Sequence, residues 1–226
     1  MTVALSAALT AVRDLLDEPN PQFWNNAQLT RYLNEACADI ARRAEWKRTT
    51  KVIPCLANTQ QYDAPADLLR AYKLDFQQAG GNDIYTLEFR GYMEMDQVWG
   101  INQNWPANYP MFYTMWGAPP TMKIILYPVP SSAGSLNVHY YQTPTPMVQP
   151  TDPIDMPPGW EDITYDYAIY RALRQDSDPR WQDFKSSYEE KFTMFMDATR
   201  TWQDQAGTFT TGQQALPAWL ISDGMY

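Results

Sequence analysis

Apolar residues recur every three or four positions in residues 3–17 and again in residues 26–44, which is the period of an amphipathic helix. Pro19 and Pro21 separate the two segments, and proline stops a helix because it lacks the backbone N–H. The sequence therefore predicts two N-terminal helices, each with one apolar face that another element must cover.

Two further helices are predicted near the other end of the chain, in residues 160–175 and 179–203. Their apolar faces are rich in aromatic residues at helical spacing. Asp178 is a suitable N-cap and Pro179 a suitable first residue of the second helix, so we expect a very short linker. Because the aromatic stripe needs a partner, we expect these helices to cluster with the two N-terminal ones.

Alternating apolar and polar residues between the helices predict short antiparallel strands. The expected hairpins join residues 51–56 with 60–63, residues 71–76 with 84–89, and residues 122–127 with 136–141. A single helical turn is expected at residues 65–70, where proline lies near the start, and a short helix is expected at residues 91–99.

These elements predict an α+β fold class: an antiparallel helical bundle of about four helices from both ends of the chain, a small inserted antiparallel β-unit, and an extended C-terminal tail. The expected segments are 1–48 for the N-terminal helices, 49–150 for the β-unit with a long aromatic loop, 151–205 for the C-terminal helix pair that completes the bundle, and 206–226 for the C-terminal arm.

The composition narrows the class of protein. The 226 residues carry a formal net charge of −9, which disfavours a large nucleic-acid-binding face. Cys37 and Cys55 lie in a helix pattern and a strand pattern without a partner motif, so we expect reduced core thiols. The longest apolar run is too short to span a membrane, and the N-terminus lacks the charged start of a signal peptide, so we expect a soluble protein.

The charge is unevenly distributed. Residues 42–51 are mostly basic, whereas residues 151–203 are mostly acidic. The two segments could meet across copies of the chain, or each could simply be a solvated face. The candidate inter-subunit electrostatic residues are Arg42, Arg43, Lys47, Arg48, Glu189 and Glu190.

No arrangement of residues predicts catalysis. His139 is the single histidine and lies in a strand pattern, where a structural role is the simplest interpretation. The glycines lack the spacing of a phosphate-binding loop, and paired acids such as Glu189 and Glu190 fall in polar helical positions. We therefore expect no enzyme, no cofactor and no metal.

The aromatic residues of the 99–116 segment leave one alternative open. Exposed aromatic rings can stack on sugars, so this segment could belong to a carbohydrate-binding or hydrolytic tail component. The other interpretation is that the rings pack onto the β-unit or against another protein, since aromatic residues are enriched at interfaces.

A series of weak motifs points to a family when taken in order. They are residues 24–43, 62–70, 117–119, 124–130, 138–141, 156–162 and 165–173. Their order and spacing resemble the head-to-tail adaptor (connector) family of tailed bacteriophages over about residues 20–200. The aromatic 99–116 segment and the C-terminal extension depart from the pattern.

The resemblance implies a non-enzymatic virion protein that forms a ring, commonly of twelve copies, docks on the portal protein, connects it to a tail, nozzle or other neck protein, and extends the DNA channel. It implies assembly in the host cytoplasm, residence in the virion neck, and DNA passing without sequence-specific binding or membrane contact. The apolar end of the arm either folds back onto its own helices or forms the candidate portal or neighbour interface, whose residues are Leu216, Pro217, Trp219, Leu220, Ile221 and Tyr226.

Overall fold

The computed structural model describes residues 2–99, 106–107 and 109–210. Its helices are α1 (Leu5–Leu15), α2 (Asn26–Ala44), α3 (Tyr92–Trp99), α4 (Asp162–Gln175) and α5 (Trp181–Thr210). Its strands are β1 (Arg48–Cys55), β2 (Gln61–Asp63), β3 (Leu68–Gln78), β4 (Ile84–Phe89), β5 (Pro106–Ala107), β6 (Phe112–Trp116), β7 (Lys123–Tyr127), β8 (Val129–Pro130) and β9 (Gly134–Gln142). The chain divides into a central unit, residues 37–146, and a terminal unit, residues 1–36 with 147–226.

The central unit is built on a mixed sheet with the strand order β1-β9-β3-β4-β6-β7-β2. Neighbouring strands are antiparallel except β4 and β6, which are parallel through Glu88↔Phe112 and Phe89↔Tyr113. Strand β9 pairs with β1 on one side and with β3 on the other, so His139 lies opposite Thr50 and also opposite Lys73. The last strand of the sheet in sequence is therefore an interior strand.

The sheet curves into a nearly closed barrel. Its two edge strands, β1 and β2, follow each other in sequence and are joined by only residues 56–60, so the edges must lie close together. The inward side chains of all seven strands share one core, including Cys55 of β1 and Tyr62 of β2. Burying this common face is what stabilises the curved sheet.

The terminal unit packs helices through aromatic contacts. Tyr167 of α4 contacts Tyr188 of α5 at a ring-centroid distance of 5.2 Å. Trp160, just before α4, contacts Phe195 of α5 at 5.3 Å. Both contacts are edge-on, the geometry that the ring quadrupole favours.

A buried arginine ties α1 to the start of α2. Arg13 is only 5% exposed, and its guanidinium donates to the carbonyl of Trp24 at 2.6 Å and to Asn26 Oδ1 at 2.7 Å. Before α5, the Asp178 carboxylate accepts the backbone N–H of Arg180 at 2.9 Å, as expected for its predicted capping role.

The predicted fold class, an antiparallel helical bundle with a small inserted β-unit, is wrong. Residues 48–142 supply seven strands to one mixed sheet that encloses its own core. The four predicted helices exist, but they do not define the architecture. Strand periodicity shows which residues of a strand face a core, but it does not show which other strand pairs with it. Strand β9 pairs with both β1 and β3, which local patterns assign to two separate hairpins.

Two of the three predicted hairpins are also wrong. Strand β1 pairs with β9 and β2 pairs with β7, so the segments around Asn58 do not pair with each other. Strands β7 and β9 likewise take other partners. The predicted helical turn at residues 65–70 runs into β3 instead, whereas the β3–β4 hairpin, with Leu74 opposite Leu87, and helix α3 are confirmed.

Candidate functional site

The predicted basic residues have different local partners. Arg42 and Arg43 end α2 and reach back to Asp39, at 3.3 Å and 3.4 Å. Lys47 precedes β1, and its carbonyl accepts the N–H of Gln142 at 2.9 Å. Arg48 opens β1. All four lie in the central unit, whereas Glu189 and Glu190 are exposed on α5 in the terminal unit, so their pairing across copies stays a prediction.

Arg48 belongs to a row of cations and aromatic rings on the outer face of the sheet. Its guanidinium lies 5.3 Å from the ring centre of Tyr72 and 5.6 Å from that of Tyr141. Arg70 lies 5.3 Å from the same Tyr141 ring and pairs with Glu45 at 2.5 Å. Such cation–π contacts hold the two guanidinium groups against the aromatic rings of the sheet.

His139 bridges three strands on this face. Its Nε2 lies 3.1 Å from Oδ2 of Asp75, and its Nδ1 lies 2.8 Å from Oγ1 of Thr50. Because a carboxylate only accepts hydrogen bonds, Nε2 donates to Asp75, and Nδ1 shares a hydrogen bond with the Thr50 hydroxyl. Asp75 also accepts from Lys73 and Thr86, so its charge is already compensated. The arrangement is a brace between β1, β9 and β3.

Neither cysteine is placed for nucleophilic chemistry. Cys37 and Cys55 are both buried, and burial raises the pKa of the Cys55 thiol to about 11, so the reactive thiolate is scarce near neutral pH. In the part of the chain that the structure describes, no group of three His, Cys, Asp or Glu residues is placed to hold a metal ion. No described helix is both long and apolar enough to cross a bilayer.

A basic pocket opens between α2 and α4 in the terminal unit. It has a volume of about 460 Å³ and is lined by Arg31, Tyr32, Arg171, Arg174 and Gln175. The Tyr32 hydroxyl donates to Gln175 Oε1 at 2.5 Å, which fixes the floor of the pocket. We call this feature the arginine pocket. Three guanidinium groups around one concave surface suit an anionic partner.

A second, apolar cleft opens in the wall of the barrel. Pairing between β3 and β4 begins only at Leu74, so the first half of β3 separates from the end of β4. The gap has a volume of about 480 Å³. Its lining residues are Leu68, Leu69, Arg70, Ala71, Tyr72, Phe89, Tyr113, Met115 and Met122.

The comparison with known families decides the class of protein. Residues 3–217 match the family model described as SU10 adaptor protein. The chain belongs to this family. The match confirms the predicted membership among the head-to-tail adaptors of tailed bacteriophages. No curated protein matches the chain. The adaptor is thus a structural phage protein of the virion neck.

Part of the predicted aromatic loop of the adaptor can be placed. Tyr109 stacks on Tyr85 with ring centroids 4.0 Å apart, and Trp116 lies 4.1 Å from Tyr92 of α3. These rings therefore pack on the chain's own β4 and α3. Residues 100–105 and 108, with Trp105, lie outside the described residues, as do the candidate portal residues 216–226.

Sequence reasoning missed the arginine pocket of the adaptor and described the acidic surface of α5 only in part. The arginine pocket combines residues from α2 and α4 that lie far apart in sequence. On α5, the acidic residues Asp183, Glu190 and Asp197 follow each other at intervals of seven residues, and all three are exposed. This spacing, which we call the acidic stripe, is visible in the sequence but is hidden among the other acids of residues 151–203.

Proposed function

We propose that the adaptor forms a closed ring, of twelve copies, which docks on the portal protein and connects it to the tail. The family match over residues 3–217 is the observation that carries this proposal. A ring of identical copies needs two different, complementary surfaces on each copy, related by a rotation that closes. The adaptor has both an arginine pocket and an acidic stripe, which makes a charge-complementary contact between copies feasible.

The C-terminal arm is the proposed portal-binding segment. Helix α5 continues to Thr210, and the sequence beyond it carries Leu216, Trp219, Leu220 and Ile221 close together. A short apolar group of this kind is too small to form a core alone and suits a pocket on another protein. The chain thereby attaches to portal through its end while the folded units form the ring.

The genome passes through this ring without sequence-specific contacts. A formal charge of −9 repels the phosphate backbone, so an acidic wall keeps DNA from adhering during packaging and ejection. Assembly takes place in the host cytoplasm, with a tail, nozzle or other neck protein as the next partner.

Electron microscopy of particles made without this chain tests the proposal. We expect heads that fill with DNA, then leak it, and lack tails, because the joint between portal and tail is missing. Supplying the chain from a plasmid should restore tailed particles. Normal tailed particles made in its absence would refute the adaptor function. A glycan-binding and glycan-hydrolysis assay on the purified chain tests the carbohydrate alternative, and we expect neither activity.

A further inference from the structure

We propose that the arginine pocket binds the acidic stripe on α5 of a second copy of the chain. This inference rests on the proposed ring and names the surfaces through which neighbouring copies meet. It replaces residues 42–48 as the basic side of that contact and keeps Glu190 on the acidic side.

The pocket carries an excess of positive charge. Arg171 lies 3.1 Å from Glu35 and Arg31 lies 3.7 Å from the same carboxylate, so two guanidinium groups share one acid. Arg174 adds a third, held 5.8 Å from the ring centre of Trp181. The centre of the Tyr32 ring lies 5.1 Å from the Arg31 guanidinium and 5.7 Å from that of Arg171, and these contacts order both side chains before a partner binds.

The stripe is aligned for a single contact surface. Residues seven apart lie two turns apart on nearly the same side of a helix, about 10 Å from each other along the axis. Asp183, Glu190 and Asp197 therefore form one row. Asp197 lies 3.8 Å from Arg200, and within the described residues Asp183 and Glu190 have no ion pair. Their carboxylates remain available to bind guanidinium groups.

The two surfaces are formed by different elements of the terminal unit. The buried face of α5, with Tyr188, Phe192 and Phe195, packs toward α4. At about 100° per residue, the acidic stripe lies on the far side of the same helix. The arginine pocket is lined by α2 and α4, and Arg174 at its edge lies beside Trp181 at the start of α5. The stripe is exposed and faces away from α4, so it is open to a second copy of the chain.

This contact is chemically specific. Guanidinium and carboxylate groups form paired charge-assisted hydrogen bonds, which are stronger than a simple approach of charges. Copies that each carry a net charge of −9 repel one another, and a contact between an acidic and a basic surface offsets this repulsion locally. The arginine pocket supplies such a basic surface within the terminal unit.

Reciprocal charge reversal tests the proposal in infected cells that lack the native chain. The double variant R31E/R174E changes two exposed arginines of the pocket and leaves Arg171 in place. We expect about a tenfold loss of adaptor copies per purified particle, because like charges now face each other. The stripe variant D183R/E190R should lose a similar fraction. Combining both pairs in one chain should restore incorporation to within about twofold.

The variant R42E/R43E is the matched control. It makes the same change in net charge at the end of α2, outside the pocket, and should incorporate normally. Thermal melting of each purified variant checks that the fold is retained. A variant with Arg174→Cys and Glu190→Cys should also form a ladder of disulfide-linked copies in particles, whereas Arg42→Cys with Glu190→Cys should not.

The outcomes separate the interface from the adaptor function. If particles without the chain have normal tails, the proposed function fails and this inference fails with it. If those particles lack tails but the R31E/R174E variant incorporates normally, only the proposed interface is wrong. The interface is also wrong if D183R/E190R does not restore incorporation of the R31E/R174E variant and the cysteine variant forms no disulfide-linked copies. That result would point to the portal protein or DNA as the anionic partner of the arginine pocket.

Discussion

Lys191 of α5 places its Nζ 2.7 Å from Oδ2 of Asp166 in α4, a residue that is only 5% exposed. Burial alone would lower the pKa of this lysine, but the bonds to Asp162 and Asp166 raise it above its ordinary value. The lysine therefore stays charged, and its positive charge offsets the cost of burying the Asp166 carboxylate. This pair ties the two long C-terminal helices together.

Replacing Lys191 with methionine should lower the free energy of unfolding by about 1–3 kcal/mol, because among the described residues Asp166 then keeps only the hydrogen bond from Ser187. Urea unfolding followed by circular dichroism measures the change. Lys185→Met is the control, since Lys185 is exposed on the same helix. Equal stability of the two variants would show that the buried carboxylate does not need the lysine.

Asp75 should make the stability depend on acid pH. Burial raises the pKa of this carboxyl, but hydrogen bonds from Lys73, Thr86 and His139 outweigh it and lower the pKa below its usual value. A lowered native pKa contributes stability that is present above the unfolded value, about 3.9, and is lost as the pH falls through the native one.

The Asp75→Asn variant should therefore be less stable than the native chain by about 1–3 kcal/mol at pH 6, and the gap should close as the pH falls below about 4. Denaturant unfolding at several pH values tests this. Asp83→Asn, at an exposed position, should change little. A gap that stays constant down to pH 2 would contradict the role of the Asp75 charge.

Gly134, the first residue of the interior strand β9, has no room for a side chain. A methyl group there would lie 2.4 Å from the carbonyl oxygen of Gln77 and 2.7 Å from the ring of Phe76. Gly134→Ala should cost about 1–3 kcal/mol of stability, through a shift of β3 or of the ring. Gly91→Ala meets no atom within 4 Å and is the control. Similar melting temperatures for both variants would contradict this packing.

Portal attachment should depend on the chain beyond α5. Deletion of residues 212–226 should abolish binding to purified portal protein and leave the thermal transition unchanged. Serine in place of Leu216, Trp219, Leu220 and Ile221 should have the same effect, whereas alanine in place of Gln213 and Gln214 should have none. Binding that survives the deletion would refute the assignment, and a lowered melting temperature would indicate that the arm packs on its own chain.

Local patterns predicted the elements of this fold better than their arrangement. Helix periodicity and the cap at Asp178 depend on near neighbours in sequence, and both agree with the structure. The partner of a strand depends on distant residues: Thr50 lies opposite His139, 89 positions away. The arginine pocket could not be predicted for the same reason, because Tyr32 and Gln175, which form a hydrogen bond in it, are 143 positions apart in sequence.

The interior position of β9 has a consequence for how the adaptor folds. Strands β1 and β3 leave the ribosome long before β9, which lies between them. Until β9 is made, both strands expose unpaired backbone groups, and contacts so distant in sequence form slowly. The terminal unit also cannot form until late in synthesis, because α1 packs against α4, which follows β9 in sequence. A chain that terminates before β9 therefore completes neither unit, and one that terminates between β9 and α4 completes only the central unit.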